Sequence, residues 1–81
     1  MYNDYRKAGE QRVSESAIRI TLRAARVNKG YSVEEAAKQI GVSRATLTNY
    51  ERGYTCPNWE KAEAISRVYG IPLNNIIFPK N

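Results

Sequence analysis

The chain has 81 residues, 42% of them hydrophobic and 26% charged, which bounds it to one compact domain with a modest core. One cysteine and no histidine leave too few ligands for a structural zinc and no partner for an intrachain disulfide, so no metal or cofactor is expected. No apolar run is long enough to span a bilayer and none near the N-terminus reads as a signal peptide; the expectation is a cytoplasmic protein with no membrane partner.

Residues 1–16 are polar, with Tyr2, Tyr5 and Val13 as their large apolar groups. They read as a mobile N-terminal arm or a short extra helix in which Asp4 caps a turn through Tyr5 and Ala8. The folded domain is expected over residues 17–81. From Ala17 the pattern becomes helical: Ile18, Leu22 and Ala25 recur at i, i+4 and i+7, and Gly30 is placed to stop the helix. Ser32 followed by Glu35 is a capping-box pair that opens a second helix. Val33, Ala36, Ala37 and Ile40 form its apolar face, and Gly41 ends it. Ser43 caps a third helix from about Arg44 to Arg52, with Leu47 and Tyr50 inward and Gly53 as its stop. Asn58 caps a fourth, with Ala62, Ile65, Val68 and Tyr69 inward and Gly70 at its end. Pro72 suits the start of a short fifth helix ending in Ile76, Ile77 and Phe78. No strand-period run or hairpin signal is present. The expected fold is all-α, five short helices around one core.

Only Gly41 and Val42 separate the second helix from Ser43. Two helices joined so tightly cannot lie antiparallel, so the second crosses the first steeply and its N-terminus points outward. The outward residues there are Ser43, Arg44, Ala45, Thr48 and Asn49: short or hydrogen-bonding groups with an arginine at the tip. They match what base edges offer, a bidentate donor for guanine, an amide for adenine and a methyl for thymine. The net charge of +5 is concentrated between residues 17 and 55, where Arg19, Arg23, Arg26, Lys29, Lys38, Arg44 and Arg52 outnumber Glu34, Glu35 and Glu51. Arg19 and Arg23 read as a solvated face that adds to the positive field.

Leu22–Arg23, Asn28–Ala37, Ile40–Leu47, Tyr50–Gly53 and Pro57 resemble, in register, the lambda-repressor-like or XRE-type helix-turn-helix family. The resemblance continues through Ala64–Leu73 to Ile76–Ile77 and covers residues 19–78. It implies a five-helix DNA-binding domain with the helix-turn-helix at helices 2 and 3. On matching positions it implies Arg44, Ala45 and Asn49 as base readers, with Thr48 secondary. Ser32, Ser43, Arg52 and the loop Gly53–Tyr54–Thr55 would hold phosphates, together with the free N–H groups opening helix 2. It also implies an ion pair between Arg26 and Glu51. The chain departs from the family at Val33, where a glutamine often contacts phosphate, which leaves that contact to Arg44 or Ser32. It departs again at Ala36, where a leucine is commoner and the space falls to Tyr31 or Tyr50.

The functional expectation is a sequence-specific regulator of transcription, a phage or mobile-element type of repressor. It would bind a palindromic operator in double-stranded DNA as a homodimer, through helix 5 (Ile76, Ile77, Phe78) or the N-terminal arm. The alternative is a protein-binding module, an antitoxin or host-factor inhibitor, built on the same scaffold. No nucleophile–base pair, metal cluster or phosphate-cradling glycine loop supports an enzyme. Trp59 and Tyr69 read as core residues and Cys56 as an inert loop thiol.

Overall fold

A computed structural model of the chain describes residues 19–80. The expected arm or extra helix over 1–16, and Ala17 and Ile18, lie outside the described residues. In chain order the elements are β1 (Ile20–Thr21), α1 (Leu22–Lys29), α2 (Val33–Ile40), α3 (Arg44–Arg52), α4 (Trp59–Tyr69), a 3-10 turn (Leu73–Asn75) and β2 (Ile76–Ile77). Among the described residues four helices carry the domain, as an all-α reading requires.

Each helix begins at a side chain that accepts from its own first turn. Thr21 accepts from the Ala24 N–H, Ser32 from Glu35, Ser43 from Thr46 and Asn58 from Lys61. Each ends at a glycine, Gly30, Gly41, Gly53 or Gly70. The conformation matters most at Gly41, where φ of +92° lets the chain leave α2 and enter α3 within three residues.

Two expectations at the ends of the domain are corrected. The first helix starts at Leu22 and not at Ala17, because Ile20 and Thr21 are extended and Thr21 becomes the cap. The fifth helix is one 3-10 turn followed by an extended pair. Ile76–Ile77 lies parallel to Ile20–Thr21, with Ile20 opposite Ile76 and Thr21 opposite Ile77. The physical reasons are local and tertiary together. β-Branched isoleucines favour extended backbone, Pro79 disfavours helix at Phe78, and a single turn cannot offset helix nucleation. The pairing with β1 satisfies backbone groups that a helix would have satisfied within itself. The absence of a long alternating run had argued against strands, yet two residues suffice here.

The core is centred on Leu22 of α1, Leu47 of α3 and Ile65 of α4, all fully buried. α2 packs against α3 and α4 through Ala36, Ala37 and Ile40. Val33 is half-buried against that core, and so are Val42 and Val68. Tyr50 belongs to the core, and the Tyr31 ring lies 6.5 Å from Tyr69. On α4, Ala64, Ile65 and Tyr69 are buried, while Ala62 is half-buried. Trp59 is corrected: it is 69% exposed, because it is the first residue of α4, just past the Asn58 cap. The Tyr69 hydroxyl is buried without a hydrogen-bond partner among the described residues. Burial, and then the nearby Glu51 carboxylate, push its pKa up to about 12, against an opposing pull from Arg26.

Candidate nucleic-acid interface

The two helices of the motif present different N-termini. At α2 the capping box is complete: Glu35 N–H donates to Ser32 Oγ at 3.1 Å, and Ser32 N–H donates to Glu35 Oε1 at 2.9 Å. Two of the N–H groups expected to meet phosphate are therefore occupied, and Glu34 and Glu35 place negative charge in that first turn. Ser32 keeps its hydroxyl proton for an outside acceptor, since Oγ is used only as an acceptor here.

At α3 the first turn contains no acid. Ser43 Oγ accepts from Thr46 N–H at 3.0 Å and donates to Thr46 Oγ1 at 2.9 Å. Its proton is thus directed inward, so Ser43 is a helix cap before it is a phosphate donor. The positive end of the helix dipole and the Arg44 guanidinium stand together at the tip. Arg44 and Ala45 are exposed, and Thr48 and Asn49 are half-buried behind them on the same helix. Leu47 and Tyr50 anchor the opposite face in the core.

The geometry of the turn follows from two backbone bonds. Gly41 N–H and Val42 N–H both donate to Ala37 O, at 2.8 and 3.0 Å. Lys61 of α4 donates from Nζ to Gly41 O at 3.2 Å, tying the turn to the rest of the domain. At the far end of α3, Gly53 N–H donates to Tyr50 O, and Tyr54 and Thr55 N–H donate to Asn49 O. The backbone donors of that loop are engaged in closing α3. Phosphate contact by Tyr54 or Thr55 falls to their hydroxyls, and both residues are exposed. Arg52 is exposed beside them.

Arg26 and Glu51 form a bidentate pair between α1 and α3. Nε donates to Oε2 at 2.7 Å and Nη2 to Oε1 at 3.3 Å, while Nη1 donates to the Tyr31 carbonyl at 2.9 Å. The two side chains are only 10% and 8% exposed. Both charges are hydrogen-bonded, and the pair locks the end of the outward helix to α1.

Above this pair lies a cleft of about 300 Å³ lined by Arg23, Arg44, Thr48 and Arg52, with Val33 on its wall. Arg23 is the residue that sequence reasoning set aside as solvated face. A signal was present: it lies three positions before Arg26, one helical turn away on the side that meets α3. Ile76, Ile77 and Phe78, expected as a dimer seam, are divided by the fold. Ile76 is buried in the core, Phe78 packs half-buried against it, and Ile77 is exposed. Among the described residues no cluster of His, Cys, Asp and Glu could hold a metal, and no helix is long and apolar enough to cross a membrane.

A helix-turn-helix family model matches residues 22–76, which includes every element from α1 to the first residue of β2. The chain is 34% identical over 56 residues to the cryptic phage CTXphi transcriptional repressor RstR of Vibrio cholerae, covering 69% of this chain and 50% of that protein. It is 30% identical over 56 residues to the HTH-type transcriptional regulator ImmR of Bacillus subtilis, covering 69% and 44%. It is 42% identical over 48 residues to a putative HTH-type transcriptional regulatory protein of Thermococcus kodakarensis, covering 59% and 15%. The chain thus spans half or less of the length of these relatives, and no solved structure matches it significantly. With the family's motif in register across the whole helical core, the chain belongs to the lambda-repressor-like helix-turn-helix family.

Proposed function

We propose that the protein is a sequence-specific double-stranded DNA-binding repressor of transcription, of the phage or mobile-element type, acting in the cytoplasm. The observation that carries this is the first turn of α3: capped, free of acids, backed by Leu47 and presenting exposed Arg44 and Ala45. Arg44 suits a guanine edge, Ala45 a thymine methyl, and Thr48 and Asn49 the polar edges deeper in the groove. Arg52, the Ser32 hydroxyl and the hydroxyls of Tyr54 and Thr55 suit phosphates, which position the helix and carry no sequence information. The names of two relatives, a phage repressor and an HTH-type regulator, support the same class.

The protein would bind a palindromic operator as a dimer, its two α3 helices entering half-sites about one helical turn apart. Exposed Ile77, next to half-buried Phe78, is the part of the expected seam that remains available for such contact. Selection of bound sequences from a random duplex pool tests the proposal. The wild type should enrich a short palindrome. Arg44→Ala should lose preference at one base position in each half-site, at a cost of about 1–3 kcal/mol there. Equal binding to all sequences at physiological salt would sink it.

One observation favours the protein-binding alternative. Trp59 and Tyr54 are exposed aromatics at the two ends of the loop between α3 and α4, and such groups are enriched at protein interfaces. Recovery of one stoichiometric partner that Arg44→Ala leaves bound would replace the DNA reading with this one.

A further inference from the structure

The cleft between α1 and α3 gathers more positive charge than the fold itself uses. Arg26 and Glu51 neutralise one another at its base through their buried pair. The guanidinium groups of Arg23, Arg44 and Arg52 remain around a hollow of about 300 Å³. None of these three makes a hydrogen bond or ion pair with another described residue. The three arrive from different places: the second residue of α1, the first of α3 and the last of α3. Like charges converging on one partly enclosed site raise the local potential, and nothing acidic in the lining offsets them beyond Glu51, which is already paired. Thr48 adds a hydroxyl, and Val33 supplies an apolar wall with no acceptor. Planar guanidinium forks around a hydroxyl suit an anion with several oxygens, which the neutral edge of a base does not provide. The cleft also opens beside Arg44 and Thr48 on α3, so its anion belongs to the ligand that α3 itself meets.

We propose that Arg23 is a phosphate ligand from outside the helix-turn-helix: one backbone phosphate of the bound duplex seats in this cleft between Arg23 and Arg52. The proposal rests on the DNA-binding reading above. It makes α1 more than a support for α3. A contact from α1 and a contact from the end of α3 to the same phosphate would set how deeply the first turn of α3 enters the groove.

The test measures affinity across a range of salt for the wild type, Arg23→Gln, Arg23→Lys and Arg67→Gln. The duplexes are the selected operator and versions in which single phosphates are replaced by neutral methylphosphonates. Arg67 is exposed on α4 and does not line the cleft, so it controls for net charge. Arg23→Gln should weaken binding about tenfold for each half-site, as loss of one charge-assisted hydrogen bond does, and lower the salt slope by about one per subunit, about two for a dimer. It should change no base preference, and Arg23→Lys should restore most of the slope. Neutralising one particular phosphate should weaken the wild type and leave Arg23→Gln no weaker than it already is. Arg67→Gln should keep the wild-type slope, and thermal melting should be alike for all variants because both sites are exposed. An unchanged slope in Arg23→Gln overturns the proposal while leaving the DNA reading intact. So does simple multiplication of its effect with that of every phosphate substitution. Wild-type protein without operator selectivity overturns the DNA reading, and this assignment with it.

Discussion

Between Ser32 and Tyr54 the chain is closed on itself by partners three to five residues away: Ser32 with Glu35, Ala37 with Gly41 and Val42, Ser43 with Thr46, Asn49 with Tyr54. The ends of the domain are held differently. Thr21 caps α1 through Ala24, but the Ile20–Thr21 backbone pairs with Ile76–Ile77 from the other end of the chain. Closing short loops costs little entropy, so the motif that presents α3 is held by contacts that are cheap to form. The terminal pairing closes a loop of more than fifty residues and depends on how the helices between them pack. The difference suggests a division of labour, in which the middle sets the shape of the surface proposed to meet DNA and the ends add stability.

The largest perturbation should come where the middle is tied to α1. Glu51→Ala leaves Arg26 buried and half-partnered, and should destabilise the domain by about 4 kcal/mol in denaturant unfolding. Replacing both partners with apolar residues, Arg26→Met with Glu51→Leu, should recover most of that loss. If Glu51→Ala unfolds like the wild type, the pair is not what joins α1 to α3.

Ile76→Ala removes a core side chain that is 6% exposed, and should destabilise by about 3 kcal/mol. Its neighbour Ile77, at 39% exposed, should change stability by less than about 0.5 kcal/mol when replaced by alanine. Folded Ile76→Ala protein at low temperature should bind its operator as the wild type does. A matching loss of affinity would break the proposed division between ends and middle. A smaller loss than at Ile76 belongs to Ser43→Ala, about 1 kcal/mol, or a fall in melting temperature of about 5 °C. Because the cap orients the first turn of α3, this variant should lose affinity even where it is fully folded.

Much of the middle was legible before any tertiary information. Ser32, Glu35, Ser43, Asn58 and the glycines that end each helix are residue types whose chemistry is local, and their roles follow from spacing alone. The ends were not. The apolar spacing of Ile18, Leu22 and Ala25 fitted a helix from Ala17, and Pro72 through Phe78 fitted another. Both were displaced by a pairing that neither segment encodes by itself. Trp59 was misplaced for a related reason: an aromatic residue reads as core until the helix cap beside it shows that it faces away. At the candidate site, the residue types on α3 could be read directly. The internal use of the Ser43 proton and of the loop N–H groups could not, since those depend on which partner comes within reach.

By itself the sequence determined the caps and stops of α2, α3 and α4, the core faces of α2 and α3, and that α3 follows α2 too closely to run back along it. These are properties of a few neighbouring residues and the backbone between them. The tertiary structure alone decided the β1–β2 pairing, the burial of Ile76 beside the exposure of Ile77, and the convergence of Arg23 with Arg44 and Arg52. Those outcomes turn on distances between residues far apart in the chain. Such distances are set by how the helices pack, and a spacing pattern within one helix carries no information about them.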